Sequence, residues 1–159
     1  MNRDRLLGRL TPYGRKRILI KQDQGVPDII SAMLSAHKIY APEYDKISQD
    51  FYAGDGIQTA KNLFNFLKEN VRYKIESENN QRIMSPTAIL SVGASNGRDG
   101  GIDCKNLSLF IMGVLDFLKR KGLINNDIFY RFASYKLLVV ISTHISTISK
   151  GDQCLLRTM

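Results

Sequence analysis

The strongest constraint on the fold is the segment that begins at Cys104. Apolar residues recur after it at steps of three and four: Leu107, Phe110, Ile111, Val114, Leu115 and Leu118. This spacing predicts an α-helix with a buried face that ends near Gly122. The segment 93–101 before it has four glycines in nine residues, which predicts an irregular surface loop. We therefore expect a glycine-rich loop that leads directly into the central helix of the domain.

The rest of the pattern places helices first and a sheet after them. Apolar spacing predicts a helix from Pro27 to just before Pro42, a second over about 58–70 and a short turn at 87–92. Alternating residues predict a short strand at 71–76, and a polar stretch predicts a loop at 77–82. Aromatic and β-branched residues predict strands at 127–136 and 137–148. The prediction is an α+β fold, in which a helical N-terminal half and the central helix pack on a short antiparallel sheet.

Charge divides the chain into two parts. Residues 1–21 hold seven Lys and Arg against one Asp, which is +6 of the formal +8 of the 159 residues. We predict a basic N-terminal arm at 1–25, packed only in part, and one domain at 26–159. Such an arm fits contact with a polyanion or an acidic partner, although incidental charge explains it about as well.

Other classes of protein find little support in the sequence. No apolar run approaches the ~18 residues of a membrane span, and no secretory signal is visible, so we expect a cytoplasmic protein without membrane contact. The chain has no metal or nucleotide motif, and we expect no cofactor. A disulfide between Cys104 and Cys154 stays open, but two thiols without a secretory signal are more often reduced.

A candidate nucleophile stands where the central helix begins. Cys104 lies three residues before Leu107, which places it on the buried face of the first turn. A thiol attacks as the thiolate, and the unpaired N–H groups of a helix start stabilise this anion. The same groups can accept charge from a substrate carbonyl oxygen. Burial as a small apolar residue is the alternative interpretation of a free cysteine.

A cysteine nucleophile also needs a base, which can be distant in sequence but must be near in space. His144, in the predicted strand 137–148, is the candidate. The other histidine, His37, falls on the apolar stripe of the first helix and is interpreted as a core residue. Tyr73 and Asp103 are the candidate oxyanion or substrate-binding residues, although an aromatic residue on a strand is more often core.

Four segments carry a resemblance to a known family. They are Val71-Arg-Tyr-Lys-Ile-Glu76, Ser85-Pro86-Thr-Ala-Ile89, Gly101-Ile-Asp-Cys-Lys-Asn-Leu-Ser-Leu109 and Tyr130-Arg-Phe-Ala-Ser-Tyr135. Over residues 20–136 the chain resembles the transglutaminase-like superfamily, of papain-like cysteine fold. It is similar in particular to small proteins from phages and mobile elements of Bacteroidetes-type bacteria. The resemblance implies a nucleophile at Cys104, a histidine on the following sheet and an acid on the next strand.

The sequence departs from this family after Tyr135. The family pattern continues with a strand, a turn and a second strand that carries an Asp, whereas Asp152 here stands beside Gly151, where a turn is favoured. Asp152 is the candidate third member of the site. We also formulate the hypothesis that the C-terminal sheet is incomplete, through truncation or a shifted reading frame.

Two functions follow. The first is a cysteine hydrolase of protease or amidase type, which acts on amide or peptide bonds of a protein or peptide substrate through a Cys104 thioester, with His144 as base. The second is a catalytically silent structural or binding protein, associated with a phage, that uses its basic arm to hold a polyanion or another phage component. In either case we expect a location in the bacterial host cytoplasm or with the phage.

Overall fold

The computed structural model of the chain describes residues 1–10, 17–19, 25–77, 81–97, 100–135 and 138–146. Within these ranges the chain is of mixed helix and strand, as the predicted α+β class requires. The helices are α1 (Arg3–Arg9), α2 (Val26–Ile47), α3 (Gly56–Asn70), α4 (Pro86–Val92) and α5 (Cys104–Arg120). A short 3-10 helix, Ser48–Phe51, follows α2. The strands are β1 (Arg17–Leu19), β2 (Arg82–Met84), β3 (Asp127–Tyr135) and β4 (Leu138–Ser146).

Helix α5 is the centre of the core. The predicted stripe is buried except at Leu107, which is partly buried. Most of the remaining circumference is buried too, and twelve of the seventeen residues of α5 are buried in all. The helix is enclosed because α2, α3, α4, the 3-10 helix and the β3–β4 pair all contact it. Gly113 allows the closest of these contacts, since a Cβ there would lie 2.4 Å from the ring of Tyr44 on α2.

The strands form two separate antiparallel pairs. Strand β1 pairs with β2, and Ile18 lies opposite Ile83. Strands β3 and β4 pair along their full length, from Asp127 opposite Ser146 to Tyr135 opposite Leu138. The two predicted C-terminal strands are thus confirmed. Strand β2 was not predicted, because it begins at Arg82, the last residue of the polar stretch that predicts a loop at 77–82.

The first long helix extends beyond its predicted end. Helix α2 continues through Pro42 to Ile47. Proline removes one backbone hydrogen bond from a helix interior, but Tyr40, Tyr44 and Ile47 are buried on both sides of Pro42. Burial of these large side chains outweighs the missing bond. The start of the helix is capped by the Asp28 carboxylate, which accepts a hydrogen bond from the Gly25 N–H at 2.8 Å.

The beginning of the predicted basic arm belongs to the core. Helix α1 is capped by the Asn2 side chain, and both Leu6 and Leu10 are buried in the hydrophobic core. Arg9 forms an ion pair with Asp50 and also donates to the Lys46 carbonyl. Residues 11–16 and 20–24 of the predicted arm lie outside the described residues. Two of the first ten residues thus pack into the core, and six of the ten are exposed.

None of the described helices has the length and apolar character needed to cross a membrane.

Candidate active site

Cys104 is the first residue of α5, as predicted. Asp103 is the N-cap, and its carbonyl accepts the first helical hydrogen bond, from the Leu107 N–H at 3.1 Å. The Cys104 thiol is free and partly exposed, although the rest of the helix is enclosed. The backbone N–H of the first helical residue has no partner within the helix. The helix start thus offers solvent a thiol together with an anion-stabilising backbone.

A short extended segment runs beside this helix start. Residues 72–75, which we call the ribbon, form one parallel bridge, between Tyr73 and Ile102. The Ile102 N–H donates to the Arg72 carbonyl at 2.9 Å, and the Lys74 N–H donates to the Ile102 carbonyl at 2.9 Å. We predicted a strand at 71–76, and the structure shows this single bridge in its place. Ile102 stands two residues before Cys104, so the bridge fixes the ribbon against the site.

A glycine permits this close approach. Gly101 has a φ of 91°, a left-handed conformation that favours glycine. A Cβ on Gly101 would lie 2.7 Å from the Cβ of Lys74. Any larger residue would therefore push the ribbon away from the helix start. The close approach of the ribbon to the helix start therefore depends on this one glycine of the loop.

The ribbon places Tyr73 beside Cys104. Partial burial, the charges of Cys104 and Asp103 and a side-chain hydrogen bond with Cys104 raise the pKa of Tyr73 above its usual 10.0. Tyr73 is therefore protonated at neutral pH and able to donate. The side chain is not core, since the residue is 60% exposed. A protonated hydroxyl beside a thiol can donate to an oxyanion that forms there.

Below the exposed thiol lies a buried cluster of four charged residues, which we call the ion cluster. The Lys105 ammonium lies 2.7 Å from a Glu76 carboxylate oxygen and also contacts the Asp103 carboxylate. The other oxygen of Glu76 lies 2.6 Å from the Arg82 guanidinium. The two cations balance the two carboxylates. Burial raises the pKa of Asp103 above its usual 3.8, which the Lys105 charge opposes.

The ion cluster ties three segments together. Glu76 follows the ribbon, Arg82 opens β2, and Asp103 and Lys105 flank Cys104 on either side in the sequence. Removing charges from water is expensive unless they are paired and hydrogen-bonded. The pairing is satisfied only when the ribbon, β2 and the start of α5 hold their relative positions. The cluster therefore fixes the ribbon, and with it Tyr73, relative to Cys104.

Asn106 adds a neutral clamp between α5 and β2. Its side-chain oxygen accepts from the Met84 N–H at 2.9 Å, and its amide donates to the Arg82 carbonyl at 3.0 Å. The same amide donates to Asp103 at 3.2 Å. Asn106 is fully buried, so each of these bonds is made in a site without water. The first turn of α5 is thus held on two sides.

The predicted base is placed only in part. The backbone of His144 lies in β4, opposite Phe129, but its side chain lies outside the described part of the structure. The preceding residue, Thr143, donates from its hydroxyl to the Ser108 carbonyl at 3.1 Å. Ser108 is one turn after Cys104 in α5, so β4 passes close to the start of the helix. Asp152 and Cys154 lie outside the described residues.

The other histidine, His37, lies far from Cys104. His37 lies between the Tyr130 hydroxyl, 3.4 Å from its Nδ1, and the Asp116 carboxylate, 3.5 Å from its Nε2. Asp116 is twelve residues beyond Cys104 in α5, or about 18 Å along the helix axis. His37 therefore cannot serve Cys104 as a base. His144 remains the single candidate among the two histidines of the sequence.

The sequence-based prediction missed the ion cluster and the Asn106 clamp. Asp103 was proposed as a substrate-binding residue, but its described partners are Lys105 and the two donors of Asn106. A signal for the cluster does exist in the sequence. Lys105 begins a second apolar row, four residues before Leu109, and a lysine at the end of such a row needs an acidic partner if it is buried.

Comparison with protein families, with curated proteins and with solved structures gave no match. Within the described ranges, no group of three or more His, Cys, Asp and Glu side chains is placed to hold a metal ion.

Proposed function

We propose that the chain is a cysteine hydrolase of transglutaminase-like, papain-like type that cleaves amide or peptide bonds. The observation that carries the proposal is the placement of Tyr73 on the ribbon beside Cys104, the partly exposed first residue of the central helix. A nucleophile and an oxyanion donor are the two parts that acyl transfer requires at one place. The buried ion cluster beneath them supports the proposal, since it holds both parts in position.

The proposed reaction has two stages. His144 takes the proton of the Cys104 thiol, and the resulting thiolate attacks the amide carbonyl carbon. The carbonyl oxygen takes the negative charge near the Tyr73 hydroxyl and the N–H groups of the helix start. The C–N bond then breaks, the amine leaves with a proton supplied by His144, and a Cys104 thioester remains. Water, deprotonated by His144, attacks the thioester, which releases the acid and restores the thiol. Asp152 would orient His144 in this scheme.

One observation favours the second candidate, a catalytically silent protein of the same fold. The described contact from β4 to the first turns of α5 comes from Thr143, the neighbour of His144. A threonine is thus the β4 side chain that the described part of the structure places at the first turns of α5. A silent site of this kind would keep the fold, and the basic N-terminal residues would then hold a polyanion or a phage component.

Thiol reactivity and hydrolysis separate the two candidates. The protein should be tested in a Cys154→Ser background, so that Cys104 is the single thiol. An enzyme of the proposed type should be alkylated by iodoacetamide near neutral pH, and His144→Ala should slow that reaction. Fluorogenic peptide amides should be hydrolysed, Cys104→Ser should abolish hydrolysis, and Tyr73→Phe should reduce kcat by roughly 100-fold if the hydroxyl is an oxyanion donor.

Two results would contradict the proposal. Hydrolysis that persists undiminished in Cys104→Ser excludes the thiol as nucleophile. A slow alkylation that His144→Ala leaves unchanged, together with no hydrolysis, identifies the silent protein instead.

A further inference from the structure

The ion cluster holds the reacting groups of an amide bond in contact. The Lys105 ammonium contacts the Asp103 carboxylate directly and lies 2.7 Å from an oxygen of Glu76. An amine and a carboxylic acid condense to an amide with loss of water. The proposed hydrolysis at Cys104 assigns no step to any of these three side chains. Their chemistry therefore calls for an explanation of its own.

Burial favours condensation over the ion pair. The side chains of Lys105 and Glu76 are each 2% exposed, and that of Asp103 is 9% exposed. Charges withdrawn from water in this way are costly, and an amide carries none. Burial also raises the pKa of Asp103, which the Lys105 charge opposes. The uncharged acid, which is the form that an amine can attack, is therefore more populated than in an exposed aspartate.

The two oxygens of Asp103 have different surroundings. Oδ1 accepts from the Asn106 backbone N–H at 3.5 Å and from the Asn106 side-chain amide at 3.2 Å. Oδ2 is the oxygen that the Lys105 ammonium contacts. Paired N–H donors stabilise the negative charge that develops on an oxygen during acyl transfer. Oδ1 is thus placed to carry that charge, and Oδ2, beside the source of protons, is placed to leave as water.

Glu76 is placed to move protons between the nitrogen and the leaving oxygen. Its Oε2 accepts from the Lys105 ammonium at 2.7 Å, and its Oε1 accepts from the Arg82 guanidinium at 2.6 Å. A carboxylate within hydrogen-bond reach of the attacking nitrogen is the general base that amide formation needs. The contact with Arg82 holds this carboxylate in position, and it leaves Glu76 with a paired cation after Lys105 has reacted.

We propose that Lys105 and Asp103 form a covalent amide bond between their side chains, with Glu76 as the proton carrier. One Lys105 proton passes to Oδ2 of Asp103, which gives a neutral amine and a neutral acid. Nζ then adds to Cγ, and Glu76 takes a second proton from Nζ. The Cγ–Oδ2 bond breaks, and Glu76 returns this proton to the departing oxygen, which leaves as water.

The ion cluster is the reactant of this step, and Cys104 takes no part in it. Contact between the reacting groups replaces the high concentrations that the same reaction needs in solution. The amide closes a ring across Cys104, since its two ends are the residues on either side. Glu76 and Arg82 remain as one neutral pair. The product is a first turn of α5 that is fixed by a covalent bond around the thiol.

Mass spectrometry of the full chain tests the inference. Folded protein kept at neutral pH should accumulate a species that is lighter by one water molecule, whereas protein kept unfolded in guanidinium chloride should stay at its full mass. Trypsin does not cleave after an acylated lysine. The reacted chain should therefore give one peptide over 99–119 in place of 99–105 and 106–119. Fragmentation should confine the loss of water to residues 103–105.

Three variants separate this bond from other reactions. Lys105→Arg keeps a cation in the cluster but removes the amine, so it should lose no water. Glu76→Gln should lose water roughly 100-fold more slowly, because it cannot act as the base. Cys104→Ala should react like the wild type, so failure of the proposed hydrolysis leaves this outcome unaffected.

The unchanged chain can refute the inference, even if Glu76→Gln does not fold. Wild-type protein that is folded by circular dichroism and still has its full mass after days of incubation overturns the proposal. A succinimide at Asp103 also loses water, but it leaves Lys105 open to trypsin and forms in Lys105→Arg as well. Loss of water with either of these two properties overturns the proposal too.

Discussion

Replacement of Lys105 by methionine tests whether the ion cluster holds the site together. The Lys105 side chain is 2% exposed, and its ammonium contacts both Glu76 and Asp103. Methionine fills a similar volume without charge. The variant keeps the packing of the helix start, but it leaves two carboxylates and one cation in a site from which water is excluded.

The expected loss of unfolding free energy follows from the contacts that Glu76 and Asp103 keep in the variant. Removal of one partner from a buried ion pair costs about 3–5 kcal/mol. Glu76 keeps the Arg82 guanidinium at 2.6 Å and the Arg82 N–H at 2.8 Å, and Asp103 keeps the Asn106 amide. These surviving contacts place the expected loss near the lower end, at about 3 kcal/mol. Domains of this kind unfold with about 5–15 kcal/mol, so the variant should still fold.

Urea unfolding followed by circular dichroism and tyrosine fluorescence gives the measurement, since the chain has seven tyrosines and no tryptophan. Lys119→Met is the matched control. Lys119 pairs with Asp127 at 2.9 Å, but the two side chains are 41% and 60% exposed. An exposed pair of this kind contributes under about 1 kcal/mol. The contrast between the two variants isolates the effect of burial.

A double variant tests the charge balance directly. Asp103→Asn keeps an N-cap acceptor, because Asn caps helices about as well as Asp. Combined with Lys105→Met, it leaves Glu76 and Arg82 as one neutral pair. The double variant should be more stable than Lys105→Met alone. A loss under about 1 kcal/mol for Lys105→Met, equal to that of Lys119→Met, would refute the argument that the ion cluster is structurally required.

Three further predictions concern the core and its pH dependence. Leu6→Ala should cost about 2–4 kcal/mol in urea unfolding, because Leu6 is fully buried, and a loss below about 0.5 kcal/mol would show that α1 is dispensable. Gly113→Ala should cost about 1–3 kcal/mol through its clash with Tyr44, whereas Gly8→Ala, in α1 with open space around it, should stabilise by about 0.5–1 kcal/mol; equal effects would contradict the clash. Because burial raises the pKa of Asp103 above 3.8, its contribution to stability is full below pH 3.8 and is lost as the pH rises through the raised pKa. The unfolding free energy of the wild type minus that of Asp103→Asn should therefore fall with rising pH in urea titrations, and a constant or rising difference would contradict this sign.

The elements that could be predicted from sequence are those with a sustained period. The apolar residues after Cys104 repeat for more than three turns, and both the start of α5 and its end are where the spacing places them. Strands β3 and β4 are rich in aromatic and β-branched residues over nine residues each. Long repeats of this kind leave little ambiguity between helix and strand.

The elements that escaped prediction depend on tertiary contacts. Pro42 predicts a helix end from local geometry, but burial on both sides of it carries α2 five residues further. Strand β2 is only three residues long and is defined by its partners, Asn106 among them. The ion cluster joins residues 76, 82, 103 and 105, which no local pattern connects. The sequence singles out Cys104 and Tyr73 separately, but their proximity depends on the bridge at Ile102.

The enclosure of α5 and the exposure of the ribbon give the two halves of the site different freedom to change by mutation. A substitution in α5 meets packed neighbours on nearly every side, so most changes there lower the folded population and are removed by selection. A substitution at the exposed Arg72 or Ile75 costs little, since surface changes are usually within about 0.5 kcal/mol. Sequence changes can therefore accumulate on the ribbon while the start of α5 stays fixed. A scan of all single substitutions for folded abundance would show this as tolerance at 72 and 75 beside intolerance along α5, and uniform tolerance would contradict it.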